Sequence, residues 1–98
     1  MVKDQVSEKE ALTAVRMLVA AGFLSVPIGD PEDLHMLLFI REWADVRDAV
    51  KVYDVAEAEA VRIVQGRIVN EASGTTQDVV DAVLGWSSLI TATGFEFR

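Results

Sequence analysis

The chain has 98 residues, a formal net charge of −7, an apolar share of 51% and no cysteine. That length makes one domain, the lack of cysteine excludes disulfides and thiolate metal sites, and no apolar run approaches the roughly 20 residues that cross a bilayer as a helix. The nine basic residues are scattered from Lys3 to Arg98. A concentrated positive face for phosphate contacts is therefore missing, and nucleic acid is not an expected partner.

The first residues, Met1-Val2-Lys3-Asp4-Gln5-Val6, carry acid and amide side chains where a signal peptide would be apolar. They read as a flexible tail of a cytoplasmic protein. Ser7-Glu8-Lys9-Glu10 fits a capping box, which starts a helix near Glu8. Its apolar face is Ala11, Leu12, Val15, Leu18 and Val19, and Gly22 stands where a left-handed cap ends it near Ala21. Phe23 or Leu24 is expected to pack under that cap. A connector with Val26, Pro27, Ile28 and Gly29 follows, its two aliphatic residues serving as core plugs or as anchors for a partner.

Asp30-Pro31-Glu32-Asp33 has the chemistry of a helix start, with a capping carboxylate, a proline for the first helical position and acids at the positive end of the dipole. A second helix is therefore expected from Pro31. Met36, Phe39, Trp43, Val46, Val50 and Tyr53 recur at spacings of three and four and would form one seam along it. Asp54-Val55-Ala56-Glu57 repeats the capping pattern and opens a third helix with Ala58, Val61, Val64, Ile68 and Ala72 inward. An alternative stays open here, because Val61 to Val69 flanks Gln65-Gly66 as the strands of a hairpin would. Thr75 or Thr76 opens a fourth helix with Val79, Val80, Val83 and Leu84 facing inward, Trp86, Leu89 and Ile90 extending that face. The last residues, with Phe95 and Phe97, form a β-prone aromatic tail, flexible from Gly94 or docked on a neighbouring copy.

Sites for chemistry are sparse. Glu32 and His35 have the spacing of half a di-iron site on a helix, but the opposing half is missing. Asp45 with Asp48, and Asp78 with Asp81, are carboxylates one helical turn apart on polar faces, and Gly74-Thr75-Thr76 at a helix start lacks the lysine of a phosphate loop. No catalytic group, metal or cofactor is expected.

These observations describe an all-α domain, a small bundle of about four helices spanning residues 1–98, with an α+β arrangement around Val61 to Val69 as the alternative. The expected function is a non-catalytic interaction or regulatory protein, adaptor-like or inhibitor-like, acting as a homodimer and binding a second protein. Its interface residues would be Met36, Phe39, Trp43, Val46, Val50, Tyr53, Trp86, Phe95 and Phe97. The alternative function is a structural or assembly subunit working through self-association. Arginine-over-lysine usage with abundant alanine and valine is compatible with a bacterial or bacteriophage source.

Overall fold

A computed structural model describes residues 2–30 and 32–94. Two helices, α1 (Val2–Ala20) and α2 (Thr76–Gly94), flank five strands: β1 (Leu24–Asp30), β2 (Asp33–Trp43), β3 (Val46–Asp54), β4 (Glu57–Val64) and β5 (Arg67–Gly74). The strands form one antiparallel sheet in chain order, each paired with the next. Both helices lie on the same face. Ala14 and Leu18 of α1 and Val79, Val80 and Val83 of α2 share one buried cluster with Phe39, Val50, Ala58 and Ala60 of the sheet.

This overturns the expected helical bundle. The Asp30 to Asp33 segment that resembles a helix start connects β1 to β2, with Asp30 and Asp33 opposite each other in the ladder. The supposed second helix is the β2–β3 hairpin. Phe39 and Trp43 lie four apart in one strand, Val46 and Val50 four apart in the next, and a turn at Ala44-Asp45 joins them. A spacing of four keeps a side chain on one face of either a strand or a helix, so these positions fit both periods. Met36 and Tyr53 lie an odd number of positions from Phe39 and Val50 and point to the other side.

The third expected helix is β4 and β5. Ala56-Glu57-Ala58-Glu59-Ala60 has good helix formers, yet it also alternates strictly, and in the sheet Ala58 and Ala60 are buried while Glu57 and Glu59 are exposed. The small alanines let the α2 valines approach the sheet closely. Gln65 and Gly66 close this hairpin with φ of 53° and 80°, the paired positive values of a two-residue type I′ turn. The hairpin weighed around Val61 to Val69 is thus one of four in a continuous meander.

The helix termini follow local chemistry. At the end of α1, Phe23 N–H donates to the Leu18 carbonyl and Gly22 N–H to the Val19 carbonyl, both at 3.0 Å, with Gly22 at φ 100°. This is a Schellman motif, and Phe23 buries its ring beside Leu18. The start of α1 is Val2, ahead of Ser7. At α2, the Thr75 hydroxyl accepts from Asp78 N–H at 3.1 Å as the cap. Buried Thr76 ties this end to the β3–β4 turn, its hydroxyl donating to the Asp54 carbonyl at 2.8 Å and its amide to the Val55 carbonyl at 3.0 Å. Among the described residues, no helix is long and apolar enough to cross a membrane.

The β4–β5 turn gives a direct test. Gly66→Ala is expected to lower stability by about 1 kcal/mol, since a Cβ there meets nothing within 4 Å and only the left-handed backbone opposes it. Gln65→Asn, which suits positive φ, should raise stability by about 0.5 kcal/mol in chemical denaturation.

Candidate functional site

The helix-covered face carries an unusual polar row. Arg41 on β2, Asp48 on β3 and Arg62 on β4 are directly opposite one another in the register. Asp48 and Arg62 are completely buried. Arg62 Nε donates to Asp48 Oδ1 at 2.7 Å and Nη2 donates to Oδ2 at 2.8 Å, a bidentate pair. Arg41 Nη2 donates to the same Oδ2 at 3.2 Å.

Each guanidinium also reaches a helix. Arg41 Nη1 donates to the Ala21 carbonyl at 3.0 Å, an acceptor left over at the end of α1, and Arg62 Nη1 donates to the Trp86 carbonyl of α2 at 2.9 Å. Aromatic rings fill the spaces between the cations. Arg41 lies 4.4 Å from the Phe23 centroid and 4.6 Å from Trp43, while Arg62 lies 5.0 Å from Trp43 and 6.0 Å from Trp86. Trp43 thus sits between two guanidiniums, within the range of cation–π attraction. The row is closed to substrates and ties sheet to helices.

Among the described residues, no helix covers the opposite face. Alternation places Leu24, Val26 and Ile28 of β1, Met36, Leu38 and Ile40 of β2, Ala49 of β3, Val61 and Ile63 of β4 and Ile68 of β5 on this side. They adjoin across the strands as Val26 with Leu38, Leu24 with Ile40, Ala49 with Val61 and Ile63 with Ile68. Leu24 remains 68% exposed, Ile68 55% and Ile28 37%. Charges border the patch in opposite-sign pairs, Glu42 with Arg47 toward one end and Lys51 facing Glu59 toward the other. Tyr53 lies on the same side and donates to the Glu59 carboxylate at 2.7 Å. That hydrogen bond, with burial and the negative charges of Glu59 and Glu57 adding to it, pushes the phenol pKa above its ordinary 10.0.

The sequence-derived interface residues divide between the two faces. Phe39 and Val50 are buried in the core, Trp43 and Val46 lie on the helix-covered side, and Trp86 lies over it from α2. Met36 and Tyr53 belong to the open face, and Phe95 and Phe97 lie outside the described residues. Of the two carboxylate pairs, Asp45 with Asp48 does not survive on one helix face: Asp45 is an exposed turn residue, whereas Asp48 is the buried centre of the polar row. Asp78 and Asp81 are exposed on α2. Glu32 sits in the β1–β2 connection and His35 on β2, and no group of three or more His, Asp or Glu among the described residues is arranged to hold a metal.

Sequence reasoning missed Leu24, Leu38, Ile40, Val61, Ile63 and Ile68 as a surface. A signal was present in Leu34-His35-Met36-Leu37-Leu38-Phe39-Ile40, which is apolar at both odd and even positions, as a strand with two apolar faces must be. Arg41 and Arg62 were missed because a helix reading places both on solvent.

Two outcomes test this geometry. Asp48→Leu should cost about 3–5 kcal/mol by leaving two guanidiniums without their shared carboxylate, whereas Arg41→Met, Asp48→Leu and Arg62→Met together should cost less than that single change in denaturant titrations. Glu59→Gln should bring the ultraviolet titration of Tyr53, the chain's single tyrosine, down toward its ordinary midpoint, because the carboxylate that favours the protonated phenol is gone.

Comparison of the chain with protein-family models, with curated proteins and with solved structures returns no match.

Proposed function

We propose that this protein is a structural or assembly subunit that acts through self-association, the open face of its sheet packing on the same face of a second copy in the cytoplasm. The observation that carries this reading is the apolar patch across four strands and onto the fifth, on the side that no helix among the described residues covers. Five strands about 4.8 Å apart and about eight residues long present a face of roughly 600 Å² in flat projection. Relief from side chains brings the contact area near the roughly 800 Å² per partner of a standard stable interface.

The open face carries charges of both signs, Glu42 with Arg47 and Lys51 with Glu59, and Glu57 and Glu71 add two further carboxylates, so self-association through its apolar centre should strengthen as salt screens them. A two-fold axis through the patch would make the contact self-complementary and closed.

Light scattering after size exclusion, followed across dilution, tests the proposal. The unaltered chain is expected to run as a dimer, and Ile40→Asp, at the centre of the open face, should run as a monomer with native circular dichroism. A monomeric unaltered chain at concentrations well above roughly 1 μM would sink the reading.

A further inference from the structure

A second surface, which adjoins the open face at Met36 and Tyr53, lies where α1 crosses the ends of β2 and β3. A cleft of about 480 Å³ is lined there by Ala11, Leu12 and Val15 of α1 and by Leu37 and Val52 of the sheet. Leu12 is 56% exposed. Glu8, Ala11, Asp54 and Val55 line this cleft and also an adjoining groove of about 640 Å³. The adjoining groove adds Glu10, Asp78 and Asp81, so its lining contains five carboxylates and no lysine or arginine among the described residues.

The two parts select for opposite chemistry. Aliphatic walls accept apolar side chains, and the carboxylates beside them reject fatty acids and anionic lipid while attracting ammonium or guanidinium groups. The stretch of α1 from Glu8 to Val15 runs about 10 Å, the scale of a short peptide segment and not of a folded surface. The polar anchor is rigid, since Thr76 holds the start of α2 to the carbonyls of Asp54 and Val55.

We infer that the cleft between α1 and the β2–β3 ends, with its acidic neighbour, is a docking site for a basic amphipathic peptide segment of another protein, apolar side chains entering beside Leu12 and cations resting on Glu8, Asp54, Asp78 and Asp81. This mode matches a peptide that lays one apolar face into a groove and sets its charges at the rim. The cleft meets the open face at Met36 and Tyr53, but Leu12 and the carboxylates of α1 and α2 belong to the cleft and its neighbour alone, so peptide binding does not depend on self-association.

The test uses a short fluorescent synthetic peptide with leucine and lysine at helical spacing, with a Lys→Glu version as its charge control. Anisotropy is expected to show saturable binding that weakens with salt, disappears for the Lys→Glu peptide and falls at least tenfold for Leu12→Glu. The double variant Asp78→Asn, Asp81→Asn should also weaken it. Asp45→Asn, an exposed carboxylate at the opposite end of the sheet, should bind as the unaltered protein does. Amide shifts in an NMR titration should centre on Glu8 to Val15 and Val52 to Val55. Absence of binding, equal weakening by Asp45→Asn, or shifts centred on Leu38, Ile40 and Val61 would overturn the inference. Light scattering of Leu12→Glu keeps the two proposals apart, since the mass should stay that of the unaltered chain while peptide binding is lost.

Discussion

The arrangement of the helices over the sheet depends on one carboxylate. Asp48 sits at the centre of three strands and receives hydrogen bonds from Arg62 through both oxygens and from Arg41 through one. Each arginine has a further donor directed at a helix carbonyl, one at Ala21 and one at Trp86. A sheet face can pack against helices in many registers when only aliphatic side chains are involved, because hydrophobic burial is non-directional. Directional donors with a fixed fork geometry narrow that choice. The aromatic rings of Phe23, Trp43 and Trp86 around the guanidiniums give the buried cations favourable neighbours where water is absent.

That constraint has a consequence for the other side of the sheet. With both helices committed to one face, strands β1 to β4 still carry apolar residues on the other, and the chain has no further described element to cover them. A two-layer fold of this size leaves either a polar outer face or a surface made for contact, and alternation into solvent normally gives the former. Here a run of apolar residues lies among charged ones, with Lys51 opposite Leu38 and Glu71 opposite Val61. The α1 cleft is of a different kind, a concave site whose aliphatic walls pass directly into carboxylates. A flat apolar face suits a broad, symmetric partner, and a narrow cleft suits a chain segment, so the two surfaces do not compete for one ligand.

Parts of this architecture were legible in the residues. The end of α1 at Gly22, the opening of α2 at Thr75-Thr76 and its inward valines follow from local capping and periodicity, while of the two candidates to pack under the α1 cap, Phe23 and Leu24, the fold buries Phe23. The middle of the chain was not legible in the same way. Acids and a proline at Asp30 to Asp33 are the residue types of turns as well as of helix starts, so local composition alone does not separate the two. The Ala-Glu alternation of β4 satisfies helix propensity and strand period at once, and burial beneath α2 decides between them. The polar row was invisible because Arg41, Asp48 and Arg62 are far apart in sequence, and only the register makes them neighbours. The open face was hidden for a related reason: a helix reading distributes Leu38, Ile40, Val61 and Ile63 around its circumference, whereas the pleat gathers them.

By itself the amino-acid sequence determined a single-domain length, a strongly negative charge, the absence of disulfides, the two helix termini that local hydrogen bonds dictate, and a surplus of apolar residues over what one small core holds. Tertiary structure alone decided that the central half of the chain is a sheet, which of its faces the helices cover, and that three distant charged residues meet in the interior. The physical reason is the range of the interactions. Capping is settled within one helical turn, while strand pairing, burial of an ion row and exposure of an apolar face are settled by partners tens of residues away.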